Sequence, residues 1–118
     1  MDTKKVVAAL GALGQETRLE VFRLLVQRGP NGLAAGAIAE ALDVPPSSLT
    51  FHLRELTHAG LITQRRLSRQ MIYAADFAAM NAILSYLTEN CCGGNPSLCA
   101  PRSKASREQM PRYRRSAG

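Results

Sequence analysis

The sequence predicts a mainly α-helical fold with one β-hairpin, and three observations carry that expectation. Apolar residues recur at helical spacing in five separate segments. Two short extended runs lie between the fourth and fifth of these, and a tight proline turn joins the third to the fourth. With 118 residues, 46% of them hydrophobic, the chain has the size and composition of a single globular domain.

The first helix covers 6–13, where Val6, Val7, Leu10 and Leu13 share a face before Gly14 interrupts the pattern. The second, 16–27, sets Leu19, Phe22, Leu25 and Val26 opposite Glu20, Arg23 and Gln27, so it packs by one side. Gly29-Pro30-Asn31-Gly32 ends it with four turn-formers. A third helix over 35–42 carries Ile38 and Leu42 one turn apart. It stops where Val44 precedes Pro45-Pro46, because a residue before proline disfavours the α conformation.

The fourth helix starts at Pro46 or Ser47, with Ser47 or Ser48 suited to satisfy free amides, and runs to Ala59 ahead of a capping Gly60. Leu49, Leu53 and Leu56 form its buried stripe, while Ser47, Phe51, Arg54 and His58 point the other way. Residues 61–66 and 70–74 read as a hairpin around Leu67-Ser68-Arg69, although that turn lacks Gly or Asn.

From Asp76, whose charge suits the start of a helix, a long helix is predicted to reach Asn90. Phe77, Met80, Leu84 and Leu87 make one apolar stripe on it; Ala79, Ile83 and Tyr86 make another. A domain this small covers only one of them, so the second predicts a subunit interface and a homodimer. Helix, tight turn, helix and hairpin in that order define a winged helix-turn-helix. The expected organisation is a winged-helix and dimerisation domain over 1–92, a cysteine-containing segment over 93–100 and a disordered basic tail over 101–118.

The net charge of +6 suggests nucleic acid until it is located along the chain. Residues 1–100 hold nine basic and eight acidic side chains, and residues 101–118 hold six and one. The positions of individual arginines therefore matter more than the total. Ser47, Ser48 and Thr50 place small hydrogen-bonding groups near the start of the fourth helix, where base edges are approached, and Arg54 supplies a cation for phosphate. An exposed Phe51 can pack on a thymine methyl. Arg65, Arg66 and Arg69 cluster at the hairpin, suited to straddle a phosphate backbone or enter a minor groove of double-stranded DNA. Blander readings stand beside these: the serines as caps, Phe51 as a stray surface aromatic, the arginines as a solvated charge run. His52 faces the core side of its helix and reads as packed and hydrogen-bonded, and His58 has no second ligand nearby in sequence.

The cysteines form the chemical focus. Cys91, Cys92 and Cys99 fall within nine residues, and Gly93-Gly94-Asn95-Pro96 can bend the chain so that the three converge. A disulfide between neighbours is disfavoured, because their Cα atoms lie about 3.8 Å apart and unstrained bridges want about 4.4–6.8 Å. Zinc with three thiolates keeps an open position and a net negative charge. Trivalent arsenic or antimony takes three sulfurs and ends neutral, which suits a site beside an apolar helix. Incidental thiols, or a sensor of sulfide or oxidants, remain alternatives.

With these residues in view, residues 5–92 resemble the ArsR family of dimeric winged-helix repressors. The resemblance rests on Glu16-Thr17-Arg18-Leu19 with Val21-Phe22-Arg23-Leu24-Leu25, on Ile38-Ala39-Glu40-Ala41-Leu42, and on the stretch from Ser47 to Leu56 running into Ala59-Gly60-Leu61-Ile62. It implies a homodimer joined through the first and last helices, operator binding by the 47–54 helix, and release by an inducer. The family's best-known arsenic site, a Cys-x-Cys pair before the turn, has no counterpart over 33–42. Thr88-Glu89-Asn90-Cys91-Cys92 with a later cysteine resembles instead a subgroup whose three thiolates follow the last helix. The expected inducer is therefore As(III), with Sb(III) a second candidate and Cd, Pb or Zn as rivals, and no cofactor is expected for folding.

A thiol-based arsenate reductase or phosphatase wants an anion loop with arginine shortly after the cysteine, and Ser97 and Leu98 stand six residues beyond Cys91 and Cys92. With no Cys-x-x-Cys, phosphate loop or paired carboxylates either, the chain is not expected to be an enzyme. A winged-helix module that binds protein rather than DNA is the third class. No apolar run approaches the roughly 18–20 residues of a membrane span. The start lacks a secretory pattern, so a cytoplasmic location without membrane partners is expected.

Overall fold

The computed structural model describes residues 2–94. Five helices, α1 (Thr3–Leu13), α2 (Glu16–Arg28), α3 (Ala35–Leu42), α4 (Pro46–His58) and α5 (Phe77–Leu87), accompany a small sheet of β1 (Leu33–Ala34), β2 (Ile62–Leu67) and β3 (Gln70–Ala75). One compact unit ends at Tyr86, and the chain from Leu87 belongs to a second.

Local chemistry sets the boundaries. The Asp2 carboxylate accepts the Lys5 amide at 2.9 Å, so α1 begins at Thr3, ahead of its first apolar residue. Gln15 caps α2 in the same way through the Arg18 amide, also at 2.9 Å. Asp43 closes α3 in the left-handed region, φ 56°, with its amide returned to Ala39 and Glu40. Pro46 then takes the first position of α4, where its missing N–H costs nothing.

The core gathers Val21 and Leu25 from α2, Ile38 from α3, Leu49 and Leu56 from α4, and Leu61, all fully buried. Each such side chain contributes about 1.5–3 kcal/mol relative to exposure. Leu19 was expected on the buried stripe of α2 but is 43% exposed. The helix packs against α1, α4 and β3 and turns Val21, Phe22 and Leu25 inward, which carries Leu19 out to the surface.

The sheet is antiparallel in the order β1-β3-β2, so the hairpin has a third strand that its own sequence does not announce. β1 is two residues long, pairing Leu33 with Tyr73 and Ala34 with Ile72. Leu67 pairs with Gln70 across a two-residue turn, and Ser68 adopts φ 61°. A tight hairpin wants that left-handed conformation and usually takes it from Gly or Asn.

Asp76 caps α5 as expected, accepting the Ala79 amide at 3.0 Å. The helix stops at Leu87, however, and not at Asn90: a turn follows, Asn90 takes φ 57°, and a single turn of 3-10 helix covers Cys91–Gly94. The assignment of the two stripes also changes. Ile83 is buried in the chain's own core with Phe77 and Met80 packed against that core, whereas Leu84 and Leu87 are 51% and 55% exposed. Val7 and Leu10 are likewise exposed on α1, and the Thr3 and Tyr86 hydroxyls hydrogen-bond to each other, tying α1 to α5.

Candidate nucleic-acid interface

Burial of Leu49, Leu53 and Leu56 fixes the rotation of α4 and leaves Ser47, Phe51, Arg54 and His58 on its exposed side, as the sequence predicted, and Thr50 is exposed beside them. Phe51 is half exposed, and its ring meets His52 edge-on with centroids 5.6 Å apart. The other half of its surface remains in water. Arg54 is exposed and held by no partner among the described residues.

The serines do not cap the helix. Among the described residues no side chain bonds the first-turn amides of α4; instead the Ser48 hydroxyl donates to the Pro45 carbonyl at 3.2 Å and Thr50 to the Pro46 carbonyl at 3.0 Å. With Pro45 at the N-cap position and Pro46 first in the helix, both serines already lie inside it, where a hydroxyl bonds back to a preceding carbonyl rather than forward to a free amide. Ser47 has no such internal bond among the described residues.

The three hairpin arginines are all exposed, yet they do not form one patch. Arg65 and Arg66 are neighbours on β2 and so project to opposite faces of the sheet. Arg65 donates to the Asn31 carbonyl at 3.2 Å, bracing the hairpin against the loop before β1. Arg66 and, in the turn, Arg69 are the hairpin cations without a partner among the described residues. A cavity of about 250 Å³ lies between α4 and the hairpin, lined by Thr50, Arg54, Thr57 and His58 on one side and by Gln64 and Tyr73 on the other. Gln64 and Tyr73 were not legible as part of this surface, since only the pairing of β2 with β3 brings them together.

His52 is half-buried, with Nδ1 3.3 Å from Nη1 of Arg18. Burial pushes its pKa below the ordinary histidine value, the Arg18 charge adds to that, and Glu55 opposes it.

The side chains of Cys91 and Cys92, and Cys99 altogether, lie outside the described residues. Among the described residues no three His, Cys, Asp or Glu groups assemble a metal site, and no helix is long and apolar enough to cross a membrane.

A helix-turn-helix whose second helix exposes a polar, aromatic and basic face, followed by an antiparallel hairpin, is a winged helix-turn-helix domain. A helix-turn-helix domain model matches residues 13–65. The chain is 33% identical over 81 residues to the arsenical resistance operon repressor of Bacillus subtilis, covering 69% of this chain and 73% of that protein. It is 38% identical over 60 residues to a Halobacterium salinarum protein named as an arsenical resistance operon repressor, a match that spans 51% of this chain and only 46% of the relative. Among solved structures, the homodimeric winged helix-turn-helix DNA-binding domain of a possible ArsR-family transcriptional regulator from Mycobacterium bovis superposes with a TM-score of 0.59. That match has 27% identity and covers 74% of this chain and 81% of the other. The chain belongs to the ArsR family of winged-helix regulators.

Proposed function

We propose that the chain is a homodimeric transcriptional repressor that reads operator DNA with α4 and the hairpin, and releases it when As(III) binds the thiolates of Cys91, Cys92 and Cys99. The observation that carries the DNA reading is the exposed face of α4, where Ser47, Phe51 and Arg54 are presented over a fully buried leucine stripe. Arg66 and Arg69 supply cations for flanking phosphates, and Arg65 serves chiefly to brace the hairpin. Exposed Val7, Leu10 and Leu84 provide an apolar surface for the second copy, in keeping with the homodimeric relative.

The arsenic reading is supported by the names of two relatives and by three soft thiols within nine residues. Arsenous acid and three thiols form three As–S bonds and release three waters, leaving a neutral product. By linkage, As(III) binds the free dimer more tightly than the DNA-bound one by the factor that it weakens the operator, typically about 1–3 kcal/mol of coupling.

The experiment is a fluorescence anisotropy titration of the protein–operator complex with arsenite, antimonite, zinc, cadmium, lead and hydrogen peroxide, with single Cys→Ser variants alongside. Cys91→Ser and Cys92→Ser are expected to bind DNA normally and to stay bound in arsenite. Cys99→Ser is expected to retain a partial response to ligands that need two sulfurs. Release of all three variants at the wild-type arsenite concentration overturns the three-thiolate site, and a response to another agent alone reassigns the inducer.

A further inference from the structure

Arg18 is half-buried on α2, and its guanidinium joins three helices. Nε donates to the Ala12 carbonyl at 2.7 Å, and Nη1 lies 3.3 Å from His52 Nδ1. Ala12 is in the last turn of α1, where a carbonyl has no partner inside its own helix. His52 sits at the middle of α4 between Phe51 and Leu53, so whatever holds its ring adds to the buried leucine stripe in setting the rotation of that helix.

We propose that Arg18 is a positioning residue for DNA recognition: by clasping His52 to the end of α1, its planar fork seats α4 so that Phe51 and Arg54 face the duplex. The proposal rests on the reading of α4 as the DNA-contacting helix. Nδ1 accepts from Arg18 only while it carries no proton, with the ring's hydrogen on Nε2. A second proton removes the acceptor and sets an imidazolium against a guanidinium, so the clasp opens as the solution is acidified. Arg18 is the charged group facing the ring from α2, and Glu55, on α4 itself, is the one that favours the proton. α1 lines the adjoining cleft of about 340 Å³ with uncharged Ala8, Gly11 and Ala12, and His58 shares that cleft with Arg18 and Glu55.

The test uses the full chain carrying His58→Gln, which leaves His52 as the single histidine of the sequence. The probes are a duplex selected by the wild-type chain from a randomised library and an unselected duplex of equal length, titrated by anisotropy from pH 7.5 to 5.5 at constant salt. Affinity for the selected duplex is expected to fall about tenfold on acidification, the scale of one hydrogen bond to a charged group. His52→Asn puts Oδ1 in the place of Nδ1 as an acceptor that does not titrate. Its affinity at pH 7.5 stays within about twofold of the parent and its pH profile flattens. Arg18→Lys keeps the charge but cannot span both acceptors, so it binds about tenfold more weakly at pH 7.5, with circular dichroism confirming that it is folded.

A purely structural role for Arg18 would lower the melting temperature of Arg18→Lys while leaving the affinity and pH profile of the folded protein at parental values, and that result overturns the proposal. So does a parental pH profile in His52→Asn, which decides the matter alone if Arg18→Lys fails to fold. If the wild-type chain selects no duplex, the DNA-binding reading itself fails, and the clasp proposal falls with it.

Discussion

Replacing Gly32 with alanine tests how the hairpin is anchored. Gly32 has φ +73°, and a Cβ there would run into the Tyr73 carbonyl and lie 3.1 Å from Cγ2 of Ile72. The left-handed conformation alone costs an alanine about 1–2 kcal/mol. The carbonyl belongs to a paired strand and cannot swing aside, so β1 must draw away from β3 and weaken the pairing of Leu33 with Tyr73. Losing one such hydrogen bond adds about 1 kcal/mol, for a total of about 2–3 kcal/mol. Gly60→Ala provides the comparison, because Gly60 has φ +79° with open space around the added methyl. In a domain of this size each kcal/mol lowers Tm by about 4–8 °C, so Gly32→Ala is expected to lose at least about 4 °C more than Gly60→Ala in thermal melts at one protein concentration. Equal losses would refute the reasoning, since conformational strain would then be the whole cost and the contact with β3 would contribute nothing.

The other expectations concern the surfaces and one titration. Arg54→Ala should lower the salt slope of operator binding by about one unit per protomer, and an unchanged slope removes Arg54 from the phosphate contacts. Phe51→Ala should change sequence preference more than non-specific affinity, as read by competition among duplexes that exchange thymine for uracil. Val7→Glu with Leu84→Glu should yield folded monomers in sedimentation, whereas Ile83→Glu should unfold the chain because Ile83 is in the core; dimers in the first variant would place the interface elsewhere. His52 binds its proton less readily in the folded state than in the unfolded chain. Its contribution to stability is therefore complete above the ordinary histidine pKa of 6.5 and is lost as pH falls through the lower folded value. Wild type should lose more Tm than His52→Asn between pH 7.5 and 5.5, and parallel losses count against the depressed pKa.

Within single elements the sequence was a good guide, because burial on one side of a helix writes a period into it. Leu49, Leu53 and Leu56 recur at that period, and the helix they define exposes the residues expected of it. Asp76 likewise announced the start of α5 through chemistry that acts within three residues. The misses come from packing between elements. Leu19 is as apolar as Leu25, and only the placement of α1, α4 and β3 around α2 decides which of them is covered. Ile83 and Leu84 are adjacent and similar, and one is core while the other is surface. β1 has two residues, too few to carry any periodicity, and exists because Gly32 lets the chain come close enough to pair with β3.

The same division explains what was legible in the candidate site. Residue types alone marked Phe51 and Arg54, since an aromatic ring and a cation opposite a leucine stripe have no use in the core. Three arginines close in sequence suggested one cluster, but strand alternation separates Arg65 from Arg66, and the Asn31 carbonyl takes Arg65 into the scaffold. Ser47 and Ser48 looked like caps because serine often caps, yet Pro46 had already claimed the first helical position and left the hydroxyl of Ser48 bonded back to Pro45. Arg18 gave no sign of itself: its partners are a carbonyl six residues earlier and an imidazole 34 residues later, a pairing that exists only once three helices have packed. The groups most exposed to a ligand were thus the easiest to read, and the groups that hold them in place were the hardest, because exposure is a property of one element and position is a property of several.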